Sequence, residues 1–297
     1  MNNFLEISQL SRPEAESLIQ NALNFKKNSY YPSYNQHPVA NLFYENSTRT
    51  RVSFEFAANN LKMPVINLDM TSSSESKGEM IEDTIKTLAA MGISIFVIRH
   101  SQEQLPLTLA AQLGNQVHII NAGDGKHAHP SQAILDMVTI MDHKPDSSQL
   151  KVAIVGDVLH SRVAASFQCL CSLMGVGELV MVAPKIWQPE KIYYGHTTTS
   201  LNEGLKDADV VMCLRVQQER LIASELFDLS EYRRNFTVTK EVLQHAKPDA
   251  IVMHPGPINR GVEIDSEVAD GSQSVILEQV KNGVFARMAI LQAVIEK

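Results

Sequence analysis

The run Ser47-Thr48-Arg49-Thr50-Arg51 sets three hydroxyls and two guanidinium groups in five residues, where a short apolar segment gives way to helical spacing. Val39–Tyr44 reads as a buried strand, and Val52, Phe56, Ala57 and Leu61 recur as on one helix face. With Asn46 or Ser47 as N-cap, the first turn of that helix presents unpaired N–H groups and the positive end of its dipole. Hydroxyls and an Arg at such a terminus make a site for a phosphate-like anion. A merely polar helix start, with Arg49 and Arg51 solvated, is the plainer alternative; the density of donors favours the anion.

Other polar clusters share one trait: each follows the C-terminal end of a strand candidate. Arg99-His100 follows Ile93–Ile98, and His127, His129 and Gln132 follow Val117–Ile120. Arg162 follows Val152–Gly156, Arg215 follows Val210–Leu214, and His254-Pro255-Gly256-Pro257 follows Ile251–Met253. In open α/β sheets the ligand crevice lies at the carboxyl ends of strands, and two such edges facing each other make a cleft between domains. His127 and His129 lack a third ligand at a metal-site spacing, so a hydrogen-bonding His with Gln132 as amide reader fits better than zinc. Arg215 and Gln217 share a face if extended; like Arg162, Arg215 suits bidentate binding of a carboxylate. The polar loop Ser72–Glu79 reads as a solvated turn, or as a lid in which Lys77 closes over an anion. No dinucleotide or triphosphate glycine loop, nucleophile elbow or activated Cys stands out. The residues alone predict a phosphate-like anion in the first half and a carboxylate in the second, with no cofactor, metal or covalent nucleophile.

The elements that must hold these groups alternate strand and helix. Further strands are expected at Val65–Leu68 and Leu179–Val182. Helices are expected at Arg12–Lys26, Thr50–Leu61, Gly78–Met91, Leu105–Leu113, Ser131–Met141, Arg162–Met174, Ser200–Leu205 and Val275–Glu296. The polar, Pro-containing stretch Asp142–Ser148 divides two α/β halves, each with a mostly parallel sheet flanked by helices. Two domains fit a length of 297 residues, and 44% hydrophobic with 20% charged residues fits a globular chain. A net charge of −7 leaves no basic footprint for nucleic acid or anionic membranes. Three cysteines, no leader-like start and no apolar run of roughly 18 residues point to a cytoplasmic protein with reduced thiols.

These motifs resemble the transcarbamylase family along essentially the whole chain. The marks are Phe43 to Arg51, Lys77-Gly78-Glu79, Arg99-His100, His129-Pro130-Ser131-Gln132, Arg162, Arg215-Val216-Gln217 and His254-Pro255-Gly256-Pro257. Lys-Gly-Glu, Arg-x-Gln and His-Pro-x-Pro favour the aspartate branch over the ornithine branch, which typically carries a Cys in the last motif. The resemblance implies transfer from carbamoyl phosphate to L-aspartate, giving N-carbamoyl-L-aspartate and phosphate, an early step of de novo pyrimidine biosynthesis. It implies a carbamoyl-phosphate-binding domain at 1–142 and an aspartate-binding domain at 149–274, with the helix at about 275–297 packing back near the first. Ser47, Thr48, Arg49 and Thr50 would hold phosphate, with Ser74 joining them; Thr50, Arg99 and His129 would polarise the carbonyl. Gln132 and the carbonyls of Pro255 and Gly256 would read the carbamoyl amide beside Pro257. Lys77, Arg162, Arg215 and Gln217 would bind aspartate. It further implies a homotrimer whose Ser74 and Lys77 loop reaches a neighbouring subunit, and leaves open a regulatory or dihydroorotase-like partner. An ornithine-type enzyme and a silent phosphate-binding paralogue are the alternatives; a dehydrogenase-like protein lacks its glycine fingerprint.

Overall fold

The computed structural model describes residues 1–28, 30–69, 78–216 and 227–296. Ser74, Lys77 and Gln217 lie outside the described residues. The chain forms two compact units, 1–138 with 281–297, and 139–280.

The first unit holds strands β1 (Val39–Phe43), β2 (Val65–Asp69), β3 (Ile95–His100) and β4 (His118–Asp124). They pair in parallel in the order β2-β1-β3-β4. Its helices are α1 (Arg12–Lys27), α2 (Thr48–Asn60), α3 (Ile81–Ala90), α4 (Leu105–Leu113) and the start of α5 (Pro130–His143). The second unit holds β5 (Lys151–Val155), β6 (Glu178–Val182), β7 (His196–Thr198), β8 (Val210–Cys213) and β9 (Ile251–Met253). These are also parallel, in the order β7-β6-β5-β8-β9. Its helices are α6 (Arg162–Met174), α7 (Leu201–Leu205), α8 (Leu229–Phe236), α9 (Lys240–Leu243) and α10 (Ser266–Ala269). The last helix, α11 (Ile276–Ile295), crosses the division between units, as α5 does.

Continuous apolar runs become the inner strands because helices cover both faces of a parallel sheet, leaving little solvent-facing surface there. Val39–Leu42 and Ile95–Ile98 are wholly buried. Leu42, Phe96, Ile98 and Ile119 pack with Ile85, Leu109 and Leu113 into one core cluster. Helix starts follow their caps: Ser11 and Glu14 form a capping box on α1, and the Ser161 hydroxyl accepts from Ala164 N–H at 3.2 Å on α6.

The strand orders matter for function. The chain leaves β1 to form β2 on one side, then returns to place β3 on the other, so the order reverses between β1 and β3. The same reversal falls between β5 and β8 in the second unit. At such a point the loops leave in opposite directions and open a crevice at the carboxyl end of the sheet.

Candidate anion-binding sites

Both reversals carry the polar residues singled out from the sequence. In the first unit the β1 end leads to Ser47, the N-cap of α2. Ser47 makes no side-chain cap bond and the first turn holds no acidic residue, so neither the cap side chain nor a carboxylate in that turn neutralises the positive helix end. Thr50 is buried, Ser47 half-buried, and Thr48 and Arg49 exposed. The Ser53 hydroxyl donates back to the Arg49 carbonyl at 2.7 Å, tying down the turn behind them.

Arg99 lies within β3 rather than beyond it, opposite Phe43 of β1. Pairing with β1 and β4 extends the strand past its apolar run, a contribution of partners that composition does not display. Its Nη1 donates to the Ala122 carbonyl at 3.2 Å, and its Nε lies 3.3 Å from Glu45 Oε2. Glu45 thus steadies the guanidinium at the sheet edge; its place in the motif was visible, its role was not. At neighbouring His100, Nδ1 accepts from Gln102 N–H at 2.8 Å, and burial lowers the ring's pKa, with Glu45 opposing. His100 is therefore a neutral neighbour of the Arg, edge-on to Tyr44 at 4.9 Å.

His129 and Gln132 are buried at the start of α5, beyond β4. Asp124 holds the connecting loop. Its carboxylate accepts from Gln104 N–H at 2.7 Å, Asn121 Nδ2 at 2.9 Å and Ala128 N–H at 3.1 Å. His127 Nδ1 is also 2.9 Å from Asp124, and its Nε2 lies 3.3 Å from Glu6. His127 is therefore a loop brace. Within the Gly-rich stretch Gly123-Asp124-Gly125 nothing in the sequence marks Asp124 as this acceptor. Asp124→Ala leaves the buried Ala128 N–H and Asn121 Nδ2 without this acceptor, at about 1–3 kcal/mol each. The expected loss, of order 3 kcal/mol, is read from the urea midpoint; an unmoved midpoint would contradict the brace.

In the second unit β5, β8 and β9 are adjacent, and their ends carry Arg162, Arg215 and His254–Pro257. Gly156 after β5 has φ +136°, and a Cβ there would meet the Leu214 carbonyl oxygen at 2.5 Å. Only glycine lets the β5 and β8 ends come this close. Arg162 is buried at the first position of α6, and Arg215 is half-buried just past β8. Asp157 orients buried His160, with Oδ1 2.8 Å from Nδ1.

The β9 loop is held by an inner pair. Gly256 N–H donates to His254 Nδ1 at 2.8 Å, so the ring proton sits on Nε2, 3.0 Å from Glu263 Oε1. Glu263 also accepts from Asn259 N–H at 2.6 Å, and Gln279 Oε1 accepts from His254 N–H at 2.9 Å. His254 is thus the frame of the turn that presents Pro255 and Gly256, half-buried, and Pro257, exposed.

The structure therefore brings Ser47–Thr50, Arg99, His129 and Gln132 to one sheet edge, and Arg162, Arg215 and Pro255–Pro257 to the corresponding edge of the other unit. Among the described residues, Asp142, His143 and Glu278 approach closely enough to share a metal ion, but none belongs to either set. Cys171 and Cys213 are buried, and burial raises the Cys213 thiol well above its usual range, so it is no nucleophile. No helix among the described residues is long and apolar enough to cross a membrane.

Known proteins match this arrangement closely. A family model for the aspartate/ornithine carbamoyltransferase carbamoyl-P binding domain matches residues 2–142, and one for the Asp/Orn binding domain matches 148–294. The chain is 64% identical over 295 residues to the aspartate carbamoyltransferase catalytic subunit of Legionella pneumophila strain Corby, covering 99% of each. It superposes on the aspartate transcarbamoylase of Trypanosoma cruzi, solved with carbamoyl aspartate and phosphate, with TM-score 0.90 at 28% identity, covering 99% and 96% of the two chains. The ornithine carbamoyltransferase of Pyrococcus furiosus reaches TM-score 0.85 at 27% identity, covering 98% and 96%, so backbone likeness spans both branches. The chain belongs to the aspartate/ornithine carbamoyltransferase family.

Proposed function

We propose that the protein transfers a carbamoyl group from carbamoyl phosphate to the amine of L-aspartate, releasing N-carbamoyl-L-aspartate and phosphate in pyrimidine synthesis. The observation that carries this reading is the division of charge between the two strand reversals. Hydroxyls, a helix terminus and arginines stand at one; Arg162 and Arg215 stand at the other. Aspartate brings two carboxylates and an uncharged-when-reactive amine, which suits two arginines. The 64% identity to an enzyme named for aspartate supports the same branch.

In this reading Ser47, Thr48, Arg49 and Thr50 bind the phosphate, with Ser74. Thr50, Arg99 and His129 donate to the carbonyl oxygen as it gains charge. Such preorganised donors are commonly the largest catalytic contribution. Gln132 and the carbonyls of Pro255 and Gly256 hold the carbamoyl amide beside Pro257. Arg162, Arg215, Gln217 and Lys77 orient aspartate so that its nitrogen attacks directly. The amine proton passes to the departing phosphate, which is the strongest base released. Orientation supplies much of the rate, since aligned groups reach effective molarities of about 10⁵ M or more.

We extend the reading to a cytoplasmic homotrimer in which Ser74 and Lys77 complete a neighbour's site, with room for a regulatory or dihydroorotase-like partner. The motif likeness supports this. Light scattering is expected to give three times the chain mass, and a monomer active at the same dilution would contradict it.

The test is product analysis with carbamoyl phosphate and either L-aspartate or L-ornithine. Equal yields of N-carbamoyl-L-aspartate and phosphate, with none from ornithine, are expected. Product from ornithine alone would overturn the assignment of Arg215 and Gln217. Binding of carbamoyl phosphate without product from either would leave a silent paralogue.

A further inference from the structure

A buried chain of contacts stands behind Gln132. Gln132 Nε2 donates to Asp136 Oδ1 at 2.8 Å, one turn along α5, and both side chains are buried. An ionised carboxylate accepts hydrogen bonds and cannot donate them, so the Gln132 amide must turn its NH₂ toward Asp136. Its Oε1 is then the end left to accept from a ligand.

Arg287 of α11, also buried, lies within electrostatic reach of Asp136. Burial lowers the pKa of the Arg287 guanidinium to about 10, and attraction to Asp136 opposes that shift. Arg287 Nη1 donates to the Gly283 carbonyl at 3.0 Å, and its guanidinium carbon lies 5.1 Å from the Phe54 ring centroid on α2. A Cβ at Gly283 would sit 2.6 Å from Nη1, so this glycine makes room for the cation. One buried Arg thereby joins α2, which opens at Ser47, to α5, which opens at His129 and Gln132.

We propose that Asp136, backed by Arg287, is a positioning residue that fixes the orientation of the Gln132 amide and so selects a ligand bearing an N–H over one bearing a methyl group. The inference rests on the carbamoyl phosphate reading above and adds the source of its selectivity. An N–H of the carbamoyl group can donate to Oε1. The methyl of acetyl phosphate, otherwise similar in shape and charge, cannot, and leaves the acceptor unpaired.

The test compares the inhibition constant of acetyl phosphate with the KM of carbamoyl phosphate. Asp136→Asn offers Gln132 either a donor or an acceptor, so the amide orientation is no longer fixed. The selectivity ratio is expected to fall about tenfold or more, chiefly through a weaker KM for carbamoyl phosphate. Asp136→Asn combined with Arg287→Met removes both charges, avoids an unpaired buried cation, and is expected to show the same fall. In a Gln132→Met background, Asp136→Asn is expected to change the ratio no further. A ratio unchanged in the folded Asp136 variants, or an equal fall without Gln132, would overturn the proposal. Wild-type protein that transfers no carbamoyl group would overturn the underlying reading instead.

Discussion

Arg49→Ala is expected to lower turnover by roughly 10²–10³, the usual effect of removing one preorganised donor to developing charge, about 3–4 kcal/mol. Arg49 stands in the first turn of α2, where the helix donors already favour an anion. Its guanidinium can bind phosphate with two parallel hydrogen bonds, which an Ala cannot replace. Charge on the phosphate grows as its bond to the carbonyl carbon breaks, so the loss should fall on kcat and not only on KM. Arg49 is exposed, so the change should leave stability within about 0.5 kcal/mol. Steady-state kinetics beside a thermal melt separates the two effects. Wild-type turnover in the variant would remove phosphate binding from this helix terminus.

Arg215→Ala should behave differently. Arg215 leaves β8 at the second reversal, beside the close approach of Gly156 to Leu214. If it holds a carboxylate of aspartate, its loss removes a charge-assisted hydrogen bond worth about 1.5–3 kcal/mol. The KM for aspartate should rise roughly 10- to 100-fold by that conversion, while the KM for carbamoyl phosphate stays within about twofold. Saturation curves in each substrate check this. An equal rise for both substrates would place Arg215 in general folding of the unit and not in aspartate binding.

Much of this was legible because the relevant signals are local. Apolar runs mark eight of the nine described strands, and Ser47, one of the two expected caps, holds the N-cap position of α2, although its side chain makes no cap bond. The polar groups fall where strand ends predict, although Arg99 is still within the ladder. What escaped was of three kinds. Strand β7, His196–Thr198, is polar, three residues long and at a sheet edge, so neither length nor alternation marks it. Helices α8 and α9 are short, yet Asp228 and Thr239 cap them through Glu231 N–H and Val242 N–H. Those cap positions were readable in Asp228-Leu-Ser-Glu231. The buried braces were not readable at all. Asp124 holds the Gln104 N–H twenty residues back and Arg287 lies over Phe54 of α2, pairings that composition does not display. Glu263 and Asp136 act on nearer residues, His254 and Gln132, but only the fold shows that they are buried together.

On the proposed reaction, phosphate is recognised in the first unit and the aspartate carboxylates in the second. Crystals grown with carbamoyl phosphate and succinate, a dicarboxylate lacking the attacking amine, test that division most directly. The predicted map has the phosphate at the N-terminus of α2 within hydrogen-bond reach of Arg49 and Arg99, and succinate carboxylates on Arg162 and Arg215. Phosphate density away from α2, or succinate bound without either arginine, would contradict it.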